Sequence, residues 1–347
     1  MMNKPTVLLG MINDAGIAKI VAQSLSYHGF EVIDFSLDSL TFQYPDFKTR
    51  LLTQWQKLLG NSEAKKELMV SLKRRQLNDQ LARHSQFDYA LFIRSDVYPE
   101  SFLREIKNRS QTMVNYQWDG LERFSAAAKQ MMLFDRFYVF DPDDLQRFEK
   151  KVLPATSFYF DHFPELSTQT SNQIYFLGAH REDRKEPIIR FCQHAETAGW
   201  HLDFQIACPG NPQAKQEYPV GNIRFHEGIS YLENINLARS CRVLADFVIS
   251  THKGLSLRTF EALGYRKKLI TTNTQVAKYD FYHPDNIYIW DGKSFDGMSE
   301  FLASPYHEID ETIRQKYSFG NWIRYILNIE PNQTISLPQP QTEPNHE

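Results

Sequence analysis

Apolar runs of strand length alternate with amphipathic helical stretches along most of the chain, a pattern that predicts parallel sheets covered on both faces by helices. Residues 6–12 form the first apolar run, a helical pattern over 15–28 closes at Gly29, and residues 31–35 form the second strand. Residues 47–84 interrupt the alternation. They are polar and helix-favouring, with apolar positions at helical intervals, and predict a helical insertion whose Lys65, Lys66, Lys73, Arg74 and Arg75 read as a solvated face. Alternation resumes with a strand at 87–94, a helix after Pro99, a strand at 112–118, a helix from Asp119 and a strand at 137–140 ended by the turn Asp141-Pro142-Asp143-Asp144.

Between 152 and 172 the periodicity dissolves around Pro154, Pro164 and a Ser/Thr/Gln-rich stretch, the composition of a linker. A second series follows: strand 173–178, helix 187–199, strands 201–208 and 222–225, helix 230–240, strand 243–249, a helix ending at Gly264, and strands 268–273 and 286–290. The expected organisation is an α/β chain of two doubly wound, Rossmann-like domains. The first spans 1–165 and the second 173–308, with a closing helix over 309–330 and a Pro/Gln/Asn-rich tail, 331–347, expected to be disordered.

Composition changes this picture little. The chain has 347 residues, which favours two cores over one. Its hydrophobic fraction of 42% and charged fraction of 23% are those of a globular protein, and a net charge of −3 gives no global attraction to nucleic acid, so none is expected as a partner. Three scattered cysteines without CxxC spacing argue against a disulfide framework or a zinc site, and fit a cytoplasmic location. No apolar run is long enough to span a bilayer. The aromatic content, 14%, is expected to lie mainly in the cores, with room for an exposed apolar surface facing a lipid-linked molecule; peripheral contact with the inner face of the cytoplasmic membrane stays open, as does the oligomeric state.

The stretch from Val243 to Asn273 carries the most chemistry, because it reads as strand, glycine loop, helix and strand in one unit. Ligands of open parallel sheets collect beyond the carboxyl ends of the strands, at helix N-termini. The loop around Gly254 occupies that place, with a glycine for close backbone approach and Lys253 for charge. On a helical wheel Gly254, Arg258, Glu261 and Tyr265 share one face, whereas Leu257, Phe260 and Leu263 turn to the other. Arg258 and Glu261 are equally spaced for an ordinary surface ion pair. A second candidate loop, Gly178-Ala179-His180-Arg181, follows the first strand of the second series; Arg181 is its preferred phosphate contact, with a solvated charged loop as the alternative. His180 and His252 are further phosphate candidates.

In architecture, over residues 5 to 327, the chain resembles a GT-B glycosyltransferase of the bacterial lipopolysaccharide or cell-surface polysaccharide type. At motif level the resemblance rests on residues 176–181 and the Gly254 to Gly264 unit, and Tyr116 to Asp119 and Phe134 to Asp141 resemble segments of lipopolysaccharide-type transferases. It implies an acceptor-side first domain and a second domain that binds a nucleotide-sugar donor as substrate, with no separate cofactor. Glu261 matches the helix glutamate that grips the donor ribose, a task suited to a carboxylate because it accepts two hydrogen bonds from a vicinal diol. Retaining members carry a second glutamate eight residues earlier, where this chain has Lys253, which with Arg258 suits a diphosphate instead.

An inverting transfer needs a general base on the acceptor hydroxyl. Asp119, Asp14 and Asp96 each follow a first-domain strand; Asp119 is preferred because Trp118 beside it is placed to stack a sugar, and a helix N-cap is the plainer role for each. No Asp-x-Asp ends a strand, so no metal is expected. GxGxxG and the P-loop pattern are both absent, which disfavours a dehydrogenase or a P-loop nucleotidase. The expected function is transfer of a sugar to a glycan or lipid-linked acceptor of the bacterial envelope, with a non-catalytic sugar- or nucleotide-binding protein and a sugar-nucleotide epimerase as the alternatives.

Overall fold

The computed structural model describes residues 4–38, 41–163, 171–248 and 253–338. The chain divides into two compact units. The first comprises Met1–Phe140, Asp144–Ala155 and Ile323–Pro331; the second comprises Asp141–Asp143, Thr156–Trp322 and Asn332–Glu347.

In chain order the first unit contains β1 (Thr6–Met11), α1 (Ile17–Tyr27), β2 (Glu31–Asp34), α2 (Phe47–Leu58), α3 (Ala64–Gln76), α4 (Asn78–Arg83), β3 (Phe87–Ile93), α5 (Glu100–Asn108), β4 (Ser110–Gln117), α6 (Ser125–Gln130) and β5 (Arg136–Val139). After α7 (Pro142–Arg147), β6 (Leu153–Pro154) completes a six-stranded parallel sheet of order β2-β1-β3-β4-β5-β6. The order reverses at β1, between β2 and β3, so the ends of β1 and β3 form this sheet's topological switch point. Its core gathers Leu8, Phe35, Phe87, Phe92, Phe102 and Phe137. Tyr98 is sealed in the same core and donates its hydroxyl to the Phe35 carbonyl at 2.8 Å.

Two readings of this unit change. The helix expected from Asp119 begins only at Ser125, so Asp119 caps nothing and stands in a turn. The expected linker opens with β6, whose Pro154 is tolerated because β6 is an edge strand; beyond it Phe158, Tyr159 and Phe160 are buried instead of exposed. The Pro164 and Ser/Thr/Gln part of that stretch, 164–170, lies outside the described residues.

The second unit contains β7 (Ser171–Ala179), α8 (Glu182–Ala198), β8 (Leu202–Ala207), β9 (Ile223–His226), α9 (Tyr231–Ser240), β10 (Cys241–Asp246), α10 (Leu257–Gly264), β11 (Lys268–Thr271), β12 (Ile287–Ile289), α11 (Met298–Ala303) and α12 (Glu311–Lys316). Its sheet is also six-stranded and parallel, ordered β12-β11-β10-β7-β8-β9. Numbered within the unit this is 6-5-4-1-2-3, the doubly wound order whose switch point lies between its first and fourth strands, here β7 and β10.

Helix α8 starts five residues before the expected position and contains Pro187, so the charged run 182–186 is its first turns and not a loop. The single closing helix is broken in two, α12 and α13 (Phe319–Leu327). The break has a backbone cause: Tyr159 N–H donates to the Tyr317 carbonyl at 3.1 Å, and Phe319 N–H to the Tyr159 carbonyl at 2.8 Å, a strand-like bridge that residues in a continuous helix could not make. The tail is ordered further than expected. Ile335 and Leu337 are buried, and Gln333 exchanges hydrogen bonds with the Asn321 amide at 2.7 and 3.0 Å; residues 339–347 lie outside the described residues.

Candidate functional site

At the switch point of the second sheet, the end of β7 brings Gly178 beneath an arginine. A Cβ at Gly178 would stand 2.6 Å from Arg184 Nη2 and 2.8 Å from its Cζ, so only glycine lets the guanidinium settle there. Arg184 comes from the first turn of α8, lies over the Phe176 ring at 5.6 Å and donates to the Ala179 carbonyl. Its Nε is buried without a hydrogen-bond partner. Burial lowers its pKa, against the pull of Asp246 at the end of β10. Arg184 thus keeps hydrogen-bonding capacity that the described residues leave unused.

Arg181, the preferred candidate from sequence, occupies the N-cap position of α8 and makes a bidentate pair with Asp183, 2.9 Å on both arms. His180 joins a separate group, with Nδ1 3.1 Å from the Tyr218 hydroxyl and Nε2 3.6 Å from Glu217.

Across the switch point, the N-cap side chain of α10 makes no capping bond. The hydroxyl of its N-cap residue Ser256 is instead donated to Asp246 at 2.8 Å. The peptide dipoles of the helix start therefore remain available to a negative charge. Gly254 is buried and its carbonyl accepts from Asn273 at 3.3 Å. Lys253 is exposed, with its ammonium 2.9 Å from Asp143, which raises its pKa, and its backbone N–H bound to Asp141 at 2.9 Å. Ser250, Thr251 and His252 of the same loop lie outside the described residues.

Further along α10 the polar face does not meet solvent. Glu261 is 1% exposed; one carboxylate oxygen accepts from Tyr231 at 2.7 Å and the other faces Arg258 Nε at 3.3 Å. Arg258 donates to Asn234 at 3.1 Å, lies over the Tyr175 ring at 5.1 Å and keeps Nη1 buried and unpartnered. Tyr175 donates to the same Asn234 oxygen at 2.9 Å. Burial works against the Arg258 charge, and Glu261 together with Tyr175, Asp246 and Tyr231 outweighs it, so its pKa lies above the ordinary arginine value. Burial and the Glu261 charge together push the Tyr231 phenol well up. The Arg258–Glu261 pair is thus a buried network tying α10 to α9 and β7, neither a surface pair nor, in this conformation, an open ribose grip.

In the first unit the three candidate aspartates part company. Asp96 and Asp119 converge on Arg94 at the end of β3: Asp96 bridges it bidentately at 2.9 and 2.8 Å, and Asp119 at 3.1 Å. Arg94 holds a left-handed backbone, φ 64°, and stacks on Phe124 with 3.5 Å to the ring centroid. That conformation costs a non-glycine residue about 1–2 kcal/mol. Burial opposes the Arg94 charge, and Asp96 and Asp119 overcome it. Asp14 is exposed in the loop after β1 and apart from this cluster, its carbonyl accepting from Ile17 N–H. Nothing in the sequence pairs Arg94 with both carboxylates; the parallel register of β3 and β4, Ile93 opposite Tyr116, makes the pairing.

One group among the described residues has metal-ligand chemistry: His283, Asp285 and His307 bring ligand atoms within 4.8 Å of one another. They precede β12 and follow α11, so they lie away from the carboxyl-end loops of the sheet.

No family model matches the chain, and no curated protein matches it in sequence. Solved structures do. A co-structure of S. aureus MnaA with UDP aligns with a TM-score of 0.50 at 13% identity, over 96% of this chain and 100% of that one. The UDP-GlcNAc 2-epimerase of Neisseria meningitidis, bound to UDP-GlcNAc, aligns at 0.53 and 12%, over 93% and 98%. An alpha-glucosyltransferase in complex with UDP-glucose and abasic-site DNA aligns at 0.54 and 9%, over 95% and 96%. The fold is therefore that of the two-domain, Rossmann-like GT-B proteins.

Proposed function

We propose that the chain is an enzyme acting on a nucleotide sugar, and that it transfers the sugar from a nucleoside diphosphate to a glycan or lipid-linked acceptor, as in envelope polysaccharide synthesis. The observation that carries this reading is Arg184 seated on Gly178 at the β7–β10 switch point, opposite the start of α10. Together they supply a cation and oriented amides where a diphosphate would gain charge as it leaves the anomeric carbon. Neighbours of the same fold were solved with UDP, UDP-GlcNAc and UDP-glucose, which supports a nucleotide-sugar ligand. Lys253 and Arg181 lie on the flanking loops as secondary phosphate contacts.

Asp119 and Asp96 are the preferred bases for the acceptor hydroxyl. Arg94 holds both carboxylates, and the pair serves best if one member shifts its hydrogen bond to the acceptor hydroxyl. A second reading, a sugar-nucleotide epimerase, has its own support in the Neisseria meningitidis 2-epimerase, matched over 98% of its length. The two share a bound nucleotide and a carboxylate base and differ in whether the proton removed comes from an acceptor hydroxyl or from carbon.

Calorimetric titration against UDP-, GDP-, CMP- and ADP-sugars identifies the nucleotide, and NMR of the products separates the readings. Transfer to an added acceptor is the expected result; an isomerised free sugar nucleotide, with solvent deuterium at carbon, would replace it by the epimerase. Arg184→Met is expected to weaken nucleotide binding at least tenfold, and unchanged affinity would remove the central observation. Asp119→Asn should lower turnover far more than affinity. Binding without turnover of any kind would leave a non-catalytic binding protein.

A further inference from the structure

Helix α2 is built inside out. On a wheel of 100° per residue, Phe47, Leu51, Leu52, Trp55, Leu58 and Leu59 fall within an arc of about 140°, and Thr53 stands opposite. An ordinary surface helix would bury that arc. Here Thr53 is the helix's one buried residue, whereas the six apolar side chains are exposed, from 41% at Leu51 to 84% at Leu58. The helix packs on α3, so its apolar face is left over after folding. Local chemistry holds it in shape: the Asp46 carboxylate caps Thr49 N–H at 2.7 Å, a bond that also lowers the Asp46 pKa.

Charge identifies what fits this face. Residues 47–83 hold nine basic and three acidic side chains, net +6, while the rest of the chain, thirty basic against thirty-nine acidic, is net −9. Lys48 lies within the apolar arc, Arg50 about 60° beyond its edge and Lys57 further round toward Thr53, and none of the three has an ion-pair partner among the described residues. Two copies meeting symmetrically through α2, whose own charge is +3, would oppose like charges, a repulsive arrangement. An anionic bilayer is complementary on both counts, accepting Leu, Phe and Trp at the acyl boundary and lysine and arginine at the phosphates.

We propose that α2 docks the protein on an anionic membrane surface, lying in the interface plane with Phe47, Leu51, Leu52, Trp55, Leu58 and Leu59 inward. Long basic side chains extend from the same helix to the headgroups. Among the described residues no helix is long and apolar enough to cross the membrane, so the attachment is peripheral. The docking face belongs to the first unit and stands whether or not the second unit binds a nucleotide sugar.

The test is flotation of the full chain with vesicles of phosphatidylcholine alone or with 30 mol% phosphatidylglycerol. The expected result is at least about tenfold stronger partitioning onto the anionic vesicles, most of it lost in 0.5 M salt, where the Debye length falls below about 5 Å. The triple variant Trp55→Ser, Leu58→Ser, Leu59→Ser should lose about tenfold or more at unchanged far-UV circular dichroism, as should Lys48→Glu with Arg50→Glu and Lys57→Glu. Equal partitioning on both vesicle types, none on either, or wild-type binding by the serine variant would overturn the proposal. So would sedimentation showing a dimer that the serine variant dissociates, which would assign the face to a second copy.

Discussion

Replacing Glu261 tests whether the charged face of α10 is primarily a structural core or a ligand grip. In Glu261→Ala the Arg258 guanidinium keeps only its bond to Asn234, in a site where its side chain is 11% exposed, and the Tyr231 hydroxyl loses its acceptor. Breaking one side of a buried ion pair costs about 3–5 kcal/mol. An orphaned buried hydroxyl adds about 1–3 kcal/mol, not fully additively. Against a domain stability of about 5–15 kcal/mol the alanine variant should be severely weakened. Glu261→Gln isolates the charge, because its amide oxygen can still accept from Tyr231. Arg258→Met strands the carboxylate instead, and the double variant strands neither. A double-mutant cycle by urea unfolding at pH 7, followed by tryptophan fluorescence to which Trp200, Trp290 and Trp322 of the second unit contribute, should therefore give a coupling of about 2–3 kcal/mol. A coupling below about 0.5 kcal/mol, with an unchanged urea midpoint for Glu261→Gln and a tenfold loss of nucleotide affinity, would refute the structural account and return Glu261 to the ribose.

Three further outcomes follow from packing and titration. Gly264→Ala would place a methyl group 2.0–2.5 Å from the Tyr159 ring, so the second unit should lose several kcal/mol, visible as a large drop in melting temperature that Tyr159→Ala partly restores; a wild-type melting temperature would contradict this packing. Lys268 is buried, and burial with nearby Arg242 lowers its pKa to about 8, below the ~10.4 of an unfolded lysine. Between those values the unfolded chain binds the extra proton, so the contribution of Lys268 should fall as pH drops from about 10 to 8, by at most ~1.4 kcal/mol per unit, and flatten below; a wild-type minus Lys268→Met difference independent of pH would refute it. Gln117 is fully buried with neither amide nitrogen nor oxygen partnered, so Gln117→Met should be neutral or raise the urea midpoint, and a loss above about 2 kcal/mol would point to a hidden partner.

The fold was legible where burial is two-sided. Strands such as β3 and β10 are nearly continuous apolar runs, and no competing structure accommodates such a run between two helical patterns. The helical insertion was legible for the opposite reason, its length and polarity, but periodicity alone does not say which side of a helix faces the protein. The apolar stripe of α2 looks in sequence like a core face, and only the burial of Thr53 in its place reveals the inversion. Where the sequence misled, a non-local backbone contact had intervened. Tyr159, some 160 positions away, splits the closing helix at Tyr317 and Ser318, and no window of local sequence contains that information.

The candidate site shows the same division between what spacing encodes and what partners decide. The loops were legible because strand ends and glycines mark them; the working side chains within them were not. Arg181 and Arg184 stand three residues apart in one charged run, and taking that run as a loop favours the one nearer the strand. Its early acidic residues, Glu182 and Asp183, are in fact the first turn of α8, where carboxylates complement the helix dipole. Once the helix starts at Glu182, Asp183 is placed to hold Arg181, and Arg184 turns back over Gly178. Gly178 thus requires no left-handed backbone; it is small because an arginine occupies the space of its missing side chain. Glu261 illustrates the converse: its residue type and helical position fit a ribose grip, while Tyr231 and Arg258 already hold its two oxygens. A nucleotide binding through Glu261 must displace the tyrosine, whereas one binding through Arg184 asks the guanidinium to release a neutral acceptor, the Ala179 carbonyl, so the physical case for phosphate recognition is stronger at β7 than for ribose recognition at α10.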